Sequence, residues 1–243
     1  MSKIRRSYVL RLVFRCLILA SVIALYFIYP GYFGVLGGMN FFTTLSPLHL
    51  LWALWMIDMV QQLFPMKTKL ALGSQKMFAF RFRSAKKDIS HDDLKAHIKT
   101  LNAGAVKVLI VWSAFIAVLA ALYFTGVFDR KIMFLFSVAF YVCDLICVLV
   151  WCPFRLIMKN RCCTTCRIFN WDHIMMFSPI VFIGGFFAIS LSVMGLMCLL
   201  VWELNILRHP QRFSDKTNAA LKCSECTDKL CTQYCRKLRP SKG

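Results

Sequence analysis

The sequence predicts an all-α polytopic integral membrane protein, with four to five membrane helices and a small Cys-rich C-terminal tail. Three observations carry this reading. Of 243 residues, 59% are hydrophobic, above the roughly half expected of a soluble domain. The apolar residues gather into runs of bilayer length. The 30 Lys and Arg against 11 Asp and Glu, a net charge of +19, lie between those runs. That is where a polytopic protein places cytoplasmic loops and meets anionic headgroups. The same spread argues against nucleic-acid binding, since no nucleic-acid module accompanies the charge.

The first span covers about 8–29, after a basic head, MSKIRR. Arg11 and Arg15 intrude into the apolar run and no A-x-A cleavage pattern follows, so the run reads as a retained first span rather than a removed signal peptide. The second span covers 47–64, with Ser46 able to cap it and Pro47 suited to its first turn. A basic cytoplasmic loop, 65–104, comes next. Within it SHDDLKAHIKTL reads as a short helix capped by Ser90. The third and fourth spans are 105–127 and 132–151, joined by a tight turn.

The final apolar run, 173–202, is 30 residues long and carries Pro179 and the pair Gly184–Gly185. Two arrangements fit it: one long tilted span, or a re-entrant segment broken at the glycines. The first puts the tail opposite the N-terminus. The second returns it to the same side. The membrane domain is thus 1–203 and the basic tail 204–243. With the N-terminus in the cytoplasm, the loops at 65–104 and 152–172 also lie there, as the positive-inside rule requires. The plasma membrane is the expected location.

Twelve cysteines give the chemistry. Cys162, Cys163 and Cys166 form a CC-x2-C group in the 152–172 loop, and Cys223, Cys226, Cys231 and Cys235 form C-x2-C-x4-C-x3-C in the tail. A C-x2-C turn lets two thiolates converge on one metal, and two such turns make a four-sulfur site. These seven residues are the expected ligands, of an iron–sulfur cluster or of zinc. Redox-active thiols are the third possibility. Cys152, at the end of the fourth span, is a possible eighth sulfur. Cys16, Cys143, Cys147 and Cys198 lie inside spans and read as small buried hydrophobes.

Ionisable groups within spans are functional candidates. Asp144 sits near the middle of the fourth span, with Tyr141 on the same stripe as a local hydrogen-bond candidate, and Asp58 lies in the second span facing an internal partner. These three are the candidate catalytic residues. Asp172 reads as a helix start and His173 as a possible ligand. No P-loop, dinucleotide, metalloprotease or hydrolase motif is present. The expected function is membrane-linked electron transfer or redox chemistry at a membrane-surface cysteine centre, with a quinone or a redox protein as partner. A zinc-stabilised scaffold or docking protein is the alternative. A lipid-modifying membrane enzyme is the weaker one.

Overall fold

The computed structural model describes residues 3–64, 82–85, 90–159 and 165–222. Apart from one isolated bridge between Ser84 and Asn218, the described residues are helical or irregular. Among the described residues seven α-helices follow in order: α1 (Lys3–Ile28), α2 (Leu48–Leu63), α3 (His91–Phe124), α4 (Arg130–Leu149), α5 (Phe154–Met158), α6 (Asp172–Phe177) and α7 (Gly185–Arg208). Four of them, α1, α3, α4 and α7, are long and apolar enough to cross a membrane.

The helix ends follow local chemistry. Ser90 caps α3 by accepting from the Asp92 amide, and Asp129 caps α4 by accepting from the Ile132 amide at 2.8 Å. Ser46 Oγ accepts from the Leu48 amide at the start of α2. Two expectations shift. The short helix after Ser90 and the third span form one 34-residue helix. The expected boundary fell at Gly104, but this glycine is a packing site: a Cβ there would lie 3.1 Å from the Met158 sulfur. And α2 has only 16 residues, about 24 Å at 1.5 Å per residue, short of a full hydrocarbon thickness.

The helices alternate in direction. Tyr8 of α1 packs on Leu145 and Leu149 at the end of α4, while Phe33, just after α1, stacks on Phe134 near the α4 start. So α1 and α4 are antiparallel. Trp52 donates to Ser190 Oγ and Cys198 contacts the Met59 carbonyl, so α2 and α7 run side by side in the same direction. Val108 of α3 clusters with Met158 and Ile168, and Phe124 at its far end meets Phe182. At the centre the fully buried Trp55 lies between Phe134, Tyr141 and Phe177, with ring centroids 5.9, 5.7 and 5.3 Å away.

The final apolar run takes the broken form. Helix α6 and a 3-10 turn, Ile180–Ile183, climb through the bundle. Gly184 and Gly185, at φ 69° and 78°, turn the chain, and α7 comes back. Gly185 is held tightly: a Cβ there would lie 2.7 Å from the Gly38 amide nitrogen, closer than any side chain allows. Only about 12 residues make the climb, so it begins below the bundle surface, at the level of Asp144. Arg167 forks onto Glu203, with Nη1–Oε1 at 2.7 Å, and the Trp202 indole donates to the Arg167 carbonyl. The two flanks of the run therefore meet at one end of the bundle. The first tail residues stay at that end: the Ala85 amide donates to Thr217 and the Ala219 amide to Arg83.

Candidate functional site: a polar interior and a cysteine-walled cavity

Polar side chains from α1, α2, α4 and α6 meet inside the bundle at one depth. Arg15 is the hub. Its Nη1 donates to Asp144 Oδ2 at 2.7 Å and to the Tyr141 carbonyl at 2.6 Å. Its guanidinium lies flat on the Tyr141 ring, 3.8 Å from the centroid, a cation–π arrangement. The Tyr141 hydroxyl reaches Asp58 Oδ2 at 3.5 Å, the outer limit of a hydrogen bond. Asp172 and His173 pair at 3.1 Å on the first residues of α6.

The three candidate catalytic residues, Asp144, Tyr141 and Asp58, are thus brought together. Their pairing differs from expectation. Tyr141 is not the partner of Asp144; its hydroxyl points the other way, to Asp58, and Asp144 takes Arg15. A guanidinium matches a carboxylate in charge, where a phenol only offers one hydrogen bond. Arg15 carried a signal, as a cation set well inside an apolar run. Asp58 has the internal partner expected of it, and Gln61 is exposed.

Beside this cluster lies a cavity of about 470 Å³. It lies between helices α3 and α4, where Trp112 meets Phe115 of its own helix and Phe140 of α4 at 5.6 and 5.1 Å. Its inner wall is Asp172, Met175 and Met176. Its floor is the turn from Cys152 to Phe154 and the segment from Cys166 to Phe169. Asp144 is part of the wall, so its carboxylate joins the polar cluster to the cavity.

Four cysteines line this cavity: Cys143, Cys147, Cys152 and Cys166. Cys143 and Cys147 are therefore not the buried hydrophobes expected, because their face of α4 opens on the cavity rather than on a neighbouring helix. Cys143 is exposed, and so is Cys16 on the outside of α1; Cys198 is buried. Cys147 and Cys152 both lie on this lining. The influence of Cys147, together with the amides of Phe154 and Arg155 and the Arg155 charge, pushes the Cys152 thiol down to about 7.

Of the seven expected metal ligands, Cys162, Cys163, Cys223, Cys226, Cys231 and Cys235 lie outside the described residues. Cys166 is described and sits on the cavity floor. Among the described residues no group of three or more His, Cys, Asp and Glu is arranged to hold a metal ion. His173 pairs with Asp172 instead.

Comparison with known proteins finds no matching family model, no similar curated protein and no similar solved structure.

Proposed function

We propose that the protein is a multi-pass membrane thiol redox protein. In this reading the Cys147–Cys152 pair cycles between dithiol and disulfide and exchanges electrons with a lipid-soluble carrier in the adjoining cavity. The observation that carries the proposal is that Cys147 and Cys152, five residues apart, both line an apolar cavity whose wall also holds the Asp144 carboxylate. The thiolate is the attacking species in thiol chemistry, and Cys152 has the surroundings that favour it.

The step balances as follows. Two S–H bonds break and one S–S bond forms. Two electrons and two protons leave the sulfurs and reduce a two-electron acceptor. Asp144, one helical turn before Cys147, is placed to take a thiol proton and pass it on. Arg15 holds that carboxylate in the wall and offsets its charge. The Tyr141–Asp58 contact and the Asp172–His173 pair lie further inside, beside this ion pair.

The orientation follows from charge. Arg5, Arg155, Arg167 and Arg212 lie towards the end of the bundle that carries Cys152, so that end is cytoplasmic. The plasma membrane is the proposed location. Cytosolic thiols keep such a pair reduced, so electrons flow from the dithiol to the carrier.

A second reading is an all-cysteine iron–sulfur or zinc centre shared by the loop and the tail. What favours it is that Cys166 and Lys222, which Cys223 follows directly, lie at the same end. Metal and sulfide analysis of anaerobically purified protein decides it. Stoichiometric zinc or iron supports the centre, and metal-free protein overturns it. For the thiol reading, mass spectrometry maps the redox state of Cys147 and Cys152 before and after anaerobic addition of decyl-benzoquinone. A disulfide between them is the expected product. Two thiols that stay reduced, with both reachable by a maleimide, overturn the proposal.

A further inference from the structure

We propose that the cavity between α3 and α4 seats the flat ring of a quinone-class carrier, with its alkyl or isoprenoid tail leaving sideways between those helices. The chemistry rests on the dithiol reading; the fit rests on the cavity itself.

Three features select this ligand class. The first is the wall. Trp112 touches Phe115, Phe140 and Phe154, the last at 6.1 Å, and Trp151 and Phe169 complete an aromatic surround. Aromatic faces favour a stacked conjugated ring over a flexible chain, whose rotamers they would freeze. The Trp112 N–H already donates to Ser178, so this ring offers its face and not a donor.

The second feature is the placement of polar atoms. Across a largely apolar surface, polar side chains come from the sulfurs, Asp144 and Asp172. A pocket with few convergent polar groups fixes orientation rather than affinity. A hydroquinone O–H can donate to the Asp144 carboxylate, and a quinone carbonyl can accept from a Cys147 or Cys152 thiol. Both partners that a ring carbonyl needs in its two redox states are thus on one wall. A saturated acyl chain uses neither.

The third feature is the mouth. Phe115, Ile146 and Trp151 line the cavity, yet are 41%, 37% and 49% exposed. All three are apolar, so the opening faces the hydrocarbon side. A carrier dissolved in the bilayer enters there without crossing water. The volume, about 470 Å³, lies within the usual range for a small-ligand site.

The test uses full-length protein in lipid nanodiscs and decyl-benzoquinone as the probe, read by tryptophan fluorescence. The expected result is saturable quenching, kept in Cys147→Ser/Cys152→Ser, since binding does not need the redox step. That double variant separates the two proposals: quenching without disulfide formation in the wild type would sink the thiol reading alone. Cys143→Phe, at an exposed wall position, should raise the half-saturating concentration at least tenfold while thermal unfolding stays unchanged. Absent saturation in the wild type, unaltered binding to a folded Cys143→Phe, or equal displacement by decanol, which lacks the ring, each overturns the assignment. Should Cys143→Phe fail to fold, an azido-quinone photolabel on the wild type decides. Labelling within 140–154 or at Trp112 supports the site, and labelling elsewhere overturns it.

Discussion

Arg15 should be the costliest single charge in the bundle to remove. Its guanidinium approaches Asp144 to 2.7 Å. At an effective dielectric of ~20 that contact is worth about 6 kcal/mol of Coulomb attraction. Desolvating two ions cancels much of this, so the pair itself contributes little net stability. Removing one partner is different. In Arg15→Gln the attraction is lost while the Asp144 carboxylate stays where the fold put it, between Asp172 and an apolar cavity. A stranded charge of this kind costs about 3–5 kcal/mol, in line with the ~2.5–3.5 kcal/mol charged for an unpaired aspartate at mid-membrane. The stacking on Tyr141 adds about 1 kcal/mol.

The double variant Arg15→Gln/Asp144→Asn removes both charges and leaves two amides that can bond to each other. It should fall only about 1–2 kcal/mol below the wild type, giving a coupling of at least ~2 kcal/mol. Reversible unfolding in bicelles, by steric trapping or by titration with a denaturing detergent, measures all four corners of the cycle. If Arg15→Gln costs under ~1 kcal/mol, or if the two single losses simply add, Arg15 is not the counter-charge of Asp144.

Three further outcomes follow from the same coordinates. Alkylation of Cys152 by a neutral haloacetamide should rise with pH about a midpoint near 7. An ordinary thiol titrates well above that, so below 7 the rate drops about tenfold per pH unit as thiolate is lost; Cys147→Ser should move the midpoint up, and an unmoved midpoint removes Cys147 as its cause. Gly185→Ala meets the Gly38 backbone at 2.7 Å and a φ of +78°, so it should cost at least ~2 kcal/mol, whereas Gly34→Ala, with nothing within 4 Å, should cost under ~1 kcal/mol; equal losses in a thermal-unfolding assay would contradict the tight turn. Glu203→Gln strips the fork from Arg167 and one acceptor from the Trp171 indole, with an expected loss of about 2 kcal/mol; a stability unchanged from the wild type would mean that the flanks of the last run are held together by other contacts.

Four long apolar helices were readable because bilayer-length runs are a one-dimensional signal, and Ser90 marks one start through plain capping chemistry. The second span, read at 47–64, is found as α2, but that it falls short of a full crossing was not legible. The short climb through α6 was harder, because it depends on Gly38 and Gly185 meeting across 147 positions of chain. The polar cluster was half legible. Asp144, Asp58 and Tyr141 stand out as polar groups in apolar runs, but helical spacing reports neighbours on one helix only. It suggested Tyr141 for Asp144 and could not weigh Arg15 on another. The cavity was not legible at all. Cys143 and Cys147 look like core residues in sequence, and only the three-dimensional arrangement of α3, α4 and the 152–176 segment turns their face into a wall.

The alternation of the helices ties these parts together. Helix α1 runs away from the Cys152 end, α2 returns, α3 leaves, α4 returns, the broken segment from Asp172 to Ile183 leaves, and α7 returns. Among the described residues the chain thus returns to the end of the bundle it began from, and the contacts of Arg167 with Glu203 and of Ala85 with Thr217 hold it there. The broken pass costs regular backbone hydrogen bonds, which are tolerable only where protein surrounds them. It brings Asp172 and His173 into the interior beside Asp144, and it brings the chain leading to Cys223 to the side of Cys166. One irregular segment thus both furnishes the inner wall of the cavity and brings the start of the tail to the end of the bundle that holds Cys166.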